Sequence, residues 1–488
     1  MTPPLWQHQQ AELASHGHVP YRGIFWEQGT GKTRLALETA ALLRARGDID
    51  ATLVITKNGL HRMWANDECP LYLPEAQPYY YDGGRASNVE HRTLMADALA
   101  ADFPLLAMSY DSFMTDHGLK VADQMAKRRR LLLVVDEASA IKNAGAQRTK
   151  RLVPWAKKAP FRRALTGTPI TKNPFNLYPI IKFLDEGYWK LHGFSEYSIF
   201  KHYFGQWEEH INKLVGKRYE RLAEDAEGRP IYRHLDELTK LVQPITTRVL
   251  KDDVLDLPPK SYTKRYFRLT ERQRRVYDTL KRETVAFLEN GEAIDGQLAV
   301  VRLTRFSQIT SNYAPVDAQL SLVPVKKDDT LRTIDDENPR MTALFDVLEE
   351  TEGPCIIWAR WVRDIEAIAA KLGSRCVAYY GDVSDDDREV AKNKFQAGAV
   401  QFFVGNPQAA GFGLTLTAAH TVVYYNNSFN LEDRLQSEDR AHRGGLQHPV
   451  LYVDIVAEDT VDDYILKTLR NNLEVAAVVN GDRLKEWI

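Results

Sequence analysis

The segment Glu27–Thr33 has the composition and order of a loop that binds a triphosphate. Gly29 and Gly31 lack a Cβ atom, so the backbone can turn tightly there and bring N–H groups close to phosphate oxygens. In this pattern Lys32 reaches the β- and γ-phosphates, and the Thr33 hydroxyl ligates Mg²⁺. A good helix former follows the loop, and the dipole of a helix N-terminus also favours an anion. The segment therefore predicts a site for Mg-ATP.

Two further features bear on this loop. Trp26 stands where the general G-x-x-x-x-G-K-T pattern has its first glycine, so the segment alone is also compatible with a glycine-rich helix start that binds nothing. Gln9 lies upstream, and its amide can both donate to and accept from an adenine edge. We therefore expect Gln9 and Thr30 to belong to the ATP site.

Adjacent carboxylates follow a fully apolar segment, Leu131–Val135. Such a segment predicts a buried strand of a parallel sheet, and ligands bind at the carboxyl edge of these sheets. Asp136 is the candidate ligand of Mg²⁺, and Glu137 the candidate base that orients and deprotonates the attacking water. An acidic strand end in solvent is the alternative, and the phosphate loop upstream makes it the weaker one.

Other apolar segments alternate with predicted helices in both halves of the chain, which predicts an α/β fold with two parallel sheets. One of these strands ends in Thr166, Gly167 and Thr168. Hydroxyls at this edge can link the state of the γ-phosphate to the movement of a neighbouring domain, although an ordinary turn has the same sequence. The second half lacks a phosphate loop of its own, which indicates that its lobe completes the site of the first.

Composition limits the class of protein. A hydrophobic content of 44% and a charged content of 27% are typical of a globular chain with an ample core. No apolar segment is long enough to cross a bilayer, so we expect an intracellular protein without membrane contact. The net charge of −2 means that any nucleic acid must meet a local positive surface. Three scattered cysteines favour neither a disulfide framework nor a zinc site.

The ordered set of motifs resembles the Snf-type ATP-dependent DNA translocases of helicase superfamily two. Glu27–Thr33, Asp136–Ser139 and Thr166–Pro169 are similar to motifs I, II and III of that superfamily. The resemblance implies two RecA-like lobes and a motor that uses ATP and Mg²⁺ on DNA. It also implies DNA contacts from motifs Ia, Ib and V, namely Thr56, Lys57, Ser109, Tyr110, Gly411, Gly413 and Thr415.

The segment Gln436–Arg443 resembles motif VI, whose arginines reach the nucleotide from the second lobe. A guanidinium against the γ-phosphate stabilises charge on the transferring group. The resemblance therefore implies catalytic roles for Arg440 and Arg443, with Arg443 the better candidate for the finger, and an ATP contact for Gln436. Without this context, two arginines on a solvated helix face would be the simpler reading.

The predicted domain organisation follows from these motifs and from changes in composition. We expect an amino-terminal ATP-binding lobe, a helical protrusion, an inter-lobe linker, a helical region of the second lobe, a polar connector, a carboxyl-terminal lobe and a helical brace. Their predicted bounds are, in that order, residues 1–186, 187–247, 248–262, 263–316, 317–340, 341–462 and 463–488.

The sequence thus predicts a minimal motor that translocates along double-stranded DNA without sequence specificity, similar to phage or bacterial members of the family. We expect a cytoplasmic monomer of a prokaryotic or phage-infected cell. Two alternatives stay open at this point. One is a helicase that separates strands of forked DNA or RNA, and the other is a non-catalytic DNA clamp with a decayed ATP site, against which the intact Lys32, Asp136, Glu137 and Arg443 argue.

Overall fold

A computed structural model describes residues 3–211, 218–289, 296–315, 331–409 and 414–482. Two compact units can be separated by their internal contacts. The first contains the chain up to Gly205, then Tyr232–Asp256, and the residues from Glu474 to Asp482. The second contains Gln206–Ile231 and Leu257–Leu473.

A parallel sheet of seven strands forms the centre of the first unit, in the order β3-β4-β2-β5-β6-β1-β9. The inner strands β2, β4 and β5 are buried along their whole length, as expected for apolar segments covered on both faces. The strands are β1 (Tyr21–Trp26), β2 (Ala51–Thr56), β3 (Gln77–Tyr81), β4 (Pro104–Ser109), β5 (Leu131–Asp136), β6 (Phe161–Leu165) and β9 (Thr246–Val249).

Helices flank this sheet, and a π-helical turn, Trp64–Glu68, lies between the third and fourth of them. Their bounds are α1 (Gln7–His16), α2 (Lys32–Ala45), α3 (Leu60–Met63), α4 (Cys69–Tyr72), α5 (Val89–Ala100), α6 (Tyr110–Met114), α7 (Asp116–Arg128), α8 (Gln147–Trp155), α9 (Leu177–Leu184), α10 (Tyr188–Leu191), α11 (Tyr197–Phe204), α12 (Leu235–Val242) and α13 (Lys251–Val254).

The second unit is built on a parallel sheet of six strands, in the order β10-β17-β16-β13-β15-β14. Apolar side chains pack against both faces of this sheet and form its core. The strands are β10 (Lys260–Phe267), β13 (Cys355–Trp358), β14 (Cys376–Tyr379), β15 (Phe402–Gly405), β16 (Thr421–Tyr424) and β17 (Val450–Ala457). Two parallel α/β units are thus present, which confirms the predicted fold class.

The second unit also contains helices and a short antiparallel pair, β11 (Tyr313–Pro315) with β12 (Leu331–Thr333). From Glu474 onward, its last helix belongs to the first unit by its contacts. The helices are α14 (Glu271–Glu289), α15 (Gly296–Thr310), α16 (Pro339–Glu349), α17 (Val362–Leu372), α18 (Asp385–Gln396), α19 (Leu431–Ala441) and α20 (Val461–Asn480).

The segment predicted as a helical protrusion contains an antiparallel hairpin in addition to helices. Its strands are β7 (Trp207–Ile211) and β8 (Arg218–Leu222), and they are largely exposed. The predicted linker 248–262 likewise begins inside β9 and ends inside β10, which are edge strands of the two sheets. Edge strands carry more polar residues than inner strands, so they lack the apolar signature by which the inner strands were recognised.

The densest basic segment of the chain, residues 127–130, serves the fold of the first unit. The Arg129 guanidinium donates to the carbonyl of Ala101 at 2.6 Å, beyond the end of α5. Arg130 donates to the carbonyl of Gly47 at 2.6 Å and faces Asp50 at 3.5 Å. These contacts explain the segment as a strand entry, as its position before β5 indicates.

Candidate nucleotide-binding site

The phosphate loop joins β1 to α2, and both of its glycines have a left-handed backbone. Gly29 has φ of 79° and Gly31 has φ of 83°, values that only glycine adopts without strain. Gly31 is also crowded, because a Cβ atom there would lie 2.3 Å from Nε2 of Gln9. Alternation of right- and left-handed residues turns successive N–H groups toward one concavity, which is the geometry of an anion nest.

Lys32 is folded into this loop. Its Nζ donates to the carbonyl of Trp26 at 2.9 Å and to the carbonyl of Glu27 at 3.1 Å, and the side chain is buried. Thr30 closes the same turn through a hydroxyl that donates to the Glu27 carbonyl at 2.7 Å. Thr33 lies in the first turn of α2 and is half-buried. An ammonium group held by two carbonyls can exchange them for phosphate oxygens without leaving the loop.

Gln9 reaches the phosphate loop from α1, as the sequence predicts, but both ends of its amide are engaged by backbone. Its Nε2 donates to the carbonyl of Gly31 at 2.9 Å, and its Oε1 accepts from the N–H of Trp6 at 2.9 Å. His8 adds a second tie, with its Nε2 2.9 Å from the carbonyl of Thr30. In this arrangement Gln9 fastens α1 to the loop, and its role as a base reader stays a prediction.

The acidic pair lies at the carboxyl end of β5. Asp136 is buried, and its Oδ2 accepts from Trp64 Nε1 at 2.9 Å and from Thr56 Oγ1 at 3.1 Å. Glu137 has φ of 52°, a left-handed conformation that costs a residue with a Cβ atom about 1–2 kcal/mol. Gln28 of the phosphate loop donates from Nε2 to Glu137 Oε1 at 3.4 Å. This contact brings the loop and the acidic pair into one site.

Of the residues predicted to contact DNA, Thr56 and Tyr110 form hydrogen bonds with the acidic pair, and Ser109 caps a helix. Thr56 is fully buried and donates to Asp136, as described. The Tyr110 hydroxyl donates to the carbonyls of Asp136 at 2.9 Å and of Glu137 at 3.3 Å. Ser109 is buried and caps α6 by accepting from the N–H of Ser112 at 3.0 Å. These three side chains are thus buried and engaged within the protein, whereas Lys57 is half-buried. Contact with DNA stays a prediction for all four residues.

The Thr166–Thr168 turn lies beside the phosphate loop and is held there by Arg248 of β9. The Arg248 guanidinium donates from Nη1 to the carbonyl of Phe25 at 2.7 Å and to the carbonyl of Gly167 at 3.1 Å. Its Nη2 forms an ion pair with Asp482 at 2.8 Å. Thr166 is fully buried and its Oγ1 accepts from the N–H of Thr168 at 3.1 Å. One guanidinium thus joins the end of β1 to the turn after β6.

In the second unit, α19 carries the predicted arginines and is fixed by a buried ionic network. Arg434 donates to Asp454 Oδ1 at 2.6 Å and to Glu438 Oε1 at 2.9 Å, and its guanidinium stacks 3.6 Å above the ring of Tyr424. Lys260 of β10 reaches Glu438 Oε2 at 3.1 Å. Burial opposes charge on Arg434, but the two carboxylates outweigh it and raise its pKa. The helix is therefore locked to three strands of the sheet.

Arg440 is buried and donates to the carbonyl of Leu414 at 3.4 Å, whereas Arg443 is half-buried and donates to Thr415 Oγ1 at 3.2 Å. Gln436 is buried and donates to Glu432 Oε1 at 3.2 Å. The remaining predicted residues of this region, Gly411 and Gly413, lie outside the described residues.

Comparison with known proteins shows the family to which the chain belongs. The profile described as "SNF2-related domain" matches residues 20–310, which is more than half of the chain. The chain belongs to the SNF2-related family. A second profile, "Helicase conserved C-terminal domain", matches residues 339–445, which lie in the second unit of this SNF2-related protein.

Two curated relatives illustrate the breadth of the match. "Chromodomain-helicase-DNA-binding protein 1-like" from Danio rerio is 25% identical over 468 residues, which covers 93% of this chain and 41% of the relative. "ATP-dependent DNA helicase DDM1" from Arabidopsis thaliana is 23% identical over 482 residues, which covers 94% of this chain and 59% of the relative. The SNF2-related chain therefore spans less than two thirds of either relative.

Among solved structures, the "Sulfolobus solfataricus SWI2/SNF2 ATPase core in complex with dsDNA" aligns with 99% of this chain and 94% of its own, at 21% identity and a TM-score of 0.40. Within the described residues, no helix combines the length and the apolar character that a membrane span requires. Nothing in these comparisons speaks for a phage or prokaryotic source, which stays a prediction.

Sequence reasoning missed several residues that shape the site of this SNF2-related protein. The sequence pattern presents Gln28 only as part of the loop, and Arg248 only as the start of a linker. Its sequence position does carry a signal for Arg248. A cation beside apolar residues at the end of a strand needs hydrogen-bond acceptors when it is buried. No local signal points to Asp482. It lies 234 residues after Arg248 in the chain, and the two side chains meet only in the folded protein.

Proposed function

We propose that this chain is an ATP-driven motor that moves along double-stranded DNA and remodels DNA or protein–DNA complexes. The observation that carries the proposal is the contact of Gln28 with Glu137, at 3.4 Å, which unites the phosphate loop with the acidic pair. Membership of the SNF2-related family supports it. The name of the Arabidopsis relative, an ATP-dependent DNA helicase, supports it as well.

The residues of the first unit fit Mg-ATP. Two left-handed glycines and the Lys32 ammonium form a cradle for a polyphosphate, and its negative charge matches the N-terminus of α2. Thr33 and Asp136 would hold Mg²⁺, which when bound neutralises charge on the β- and γ-phosphate oxygens. Glu137 would accept the proton of the attacking water at a carboxylate oxygen, and its left-handed backbone fixes the direction of that carboxylate.

We propose that the second unit completes catalysis through α19. Arg443 is partly accessible and weakly tied to Thr415, so it is free to turn toward a γ-phosphate, while Arg440 acts from a more buried position. The ionic network below them fixes the helix against the sheet, so the arginines are presented by a rigid support. The turn Thr166–Thr168 would then report the state of the γ-phosphate through Arg248.

DNA is the proposed partner, bound as a duplex through phosphate groups and hence without sequence specificity. The candidates from the sequence for these contacts are Thr56, Lys57, Ser109, Tyr110, Gly411, Gly413 and Thr415. Binding should then weaken steeply as salt rises, because counterions are released from the duplex. A monomer is sufficient for this activity, because one chain supplies both units.

Phosphate release in steady state tests the proposal. The chain is assayed with Mg-ATP alone and then with blunt duplex DNA, single-stranded DNA, forked DNA and RNA. Strong stimulation by blunt duplex supports the translocase. Preference for forks or single strands transfers the assignment to a strand-separating helicase, and ATP binding without turnover on any nucleic acid favours the non-catalytic clamp.

Three variants separate the proposed roles. Lys32→Ala should abolish nucleotide binding or turnover, because the cradle loses its cation. Glu137→Gln should bind ATP without hydrolysing it, since an amide cannot accept the proton. Arg443→Ala should bind ATP normally and lose the turnover that DNA stimulates. Wild-type turnover in any one of them would remove that residue from its role.

A further inference from the structure

The two oxygen atoms of the Asp136 carboxylate have different surroundings. Oδ2 accepts from the Trp64 indole N–H at 2.9 Å and from the Thr56 hydroxyl at 3.1 Å. Among the described residues, Oδ1 accepts only the backbone N–H of Glu137, at 3.0 Å. A carboxylate oxygen accepts through two lone pairs, so Oδ2 is fully used and Oδ1 keeps one. The oxygen that can still bind a cation is therefore Oδ1.

Both side-chain donors to Oδ2 come from the two ends of one short segment of the first unit. Thr56 is the last residue of β2, and Trp64 opens the π-helical turn that follows α3. β2 pairs in parallel with β5, with Ile55 opposite Val135, so the two strands end side by side. π-Helical turns are rare and occur frequently at functional sites. This one begins with the residue whose indole meets the carboxylate.

Packing alone does not account for an indole that is paired with a buried carboxylate. A buried indole N–H needs an acceptor, but a backbone carbonyl is sufficient, as Trp189 shows by donating to the carbonyl of Tyr178 at 2.9 Å. Asp136 is buried, is held by neutral donors and forms no ion pair with any described residue. Buried charges in proteins are paired with an opposite charge or coordinate a metal ion. The surroundings of Asp136 thus match those of a metal ligand.

We propose that Trp64 and Thr56 are positioning residues for Mg²⁺. By occupying Oδ2, they fix the rotation of the Asp136 carboxylate and leave Oδ1 as the metal ligand. Hydrogen-bond partners behind a metal ligand commonly change metal affinity by about 10–100-fold. This inference rests on the proposed Mg-ATP site for its ligand, and it adds the two side chains that set the affinity for the metal.

Nucleotide binding with and without the metal separates positioning from packing. A fluorescent ATP analogue is titrated into each variant in excess Mg²⁺ and again in EDTA, and the ratio of the two affinities reports the affinity of the complex for Mg²⁺. Trp64→Phe keeps an aromatic ring in the core and removes the N–H donor. Thr56→Val keeps the shape of the side chain and removes the hydroxyl. Each should lower the ratio about tenfold and leave the affinity in EDTA unchanged.

Trp155→Phe is the matched control. Trp155 is a buried tryptophan of the same unit, and its indole also donates to a carboxylate, Asp123 Oδ1, at 2.6 Å. Because this pair lies outside the proposed site, the variant should have the wild-type ratio. Thr56→Ser retains the hydroxyl and should likewise retain the ratio. Circular dichroism of each variant establishes that the fold is kept.

Four outcomes would count against the proposal. A folded Trp64→Phe or Thr56→Val variant with the wild-type ratio refutes the positioning role of that residue. If Trp64→Phe does not fold, equal ratios in Thr56→Val and Thr56→Ser refute control of the metal through Oδ2. An equal loss in Trp155→Phe would reveal a general effect of the core and would also overturn the proposal. A wild-type chain whose nucleotide affinity does not depend on Mg²⁺ would instead contradict the proposed Mg-ATP site itself, and the positioning roles with it.

Discussion

Removal of one hydroxyl beneath the acidic pair should reduce both stability and turnover. Tyr110→Phe deletes the donor to the carbonyls of Asp136 and Glu137 and changes nothing else in the side chain. The site is buried, so water cannot replace the lost donor freely. Loss of a buried hydrogen bond of this kind costs about 1–3 kcal/mol. We expect the free energy of unfolding of the first unit to fall by about that amount.

The same change should affect catalysis because Glu137 has a left-handed backbone that its surroundings must hold. If about 1 kcal/mol of the lost support is needed to aim the carboxylate at the attacking water, kcat should fall roughly fivefold. The KM for ATP should change little, because the deleted hydroxyl donates to the carbonyls of Asp136 and Glu137 and not to the phosphate loop. Steady-state phosphate release with saturating duplex DNA measures kcat and KM, and denaturant unfolding measures stability.

Tyr79→Phe is the control for Tyr110→Phe. Tyr79 lies on β3 of the same sheet, and within the described part of the chain its hydroxyl forms no hydrogen bond. It should leave stability and kcat unchanged. A Tyr110→Phe variant that is destabilised but turns over at the wild-type rate would show that the hydroxyl serves the fold alone. Unchanged stability together with unchanged kcat would refute the reasoning altogether.

Three other predictions follow from buried contacts. Gly31→Ala places a Cβ atom 2.3 Å from Gln9, so an ATP-binding titration should show a loss of affinity of at least tenfold, and unchanged affinity would contradict the crowding. Arg434→Met leaves the buried carboxylate of Asp454 without its cation, and denaturant unfolding should register a loss of about 3–5 kcal/mol. Burial raises the pKa of Asp364 to about 7. The folded state therefore holds a proton that the unfolded state has released, so stability should decline from pH 4 to pH 7 by up to about 4 kcal/mol. Asp364→Asn should flatten that decline, and an equally steep pH profile in the variant would contradict the assignment.

The sequence by itself determined the parts of this protein whose residues are neighbours in the chain. The phosphate loop and the acidic pair each occupy consecutive positions, and their chemistry depends on backbone geometry that glycine and a strand end impose locally. The buried strands were visible for the same reason, because their apolar residues follow one another without interruption. The family resemblance rested on these segments, and the matched profiles confirm it.

Only the tertiary structure decided which side chains support the site and which face solvent. Tyr110 follows β4 in sequence, and nothing local reveals that its hydroxyl lies beneath β5. Arg248 finds Gly167 and Asp482 because β9 joins the edge of the sheet beside β1. A side chain's partners depend on strand order and on contacts between distant segments, and neither is encoded in the local pattern of residues.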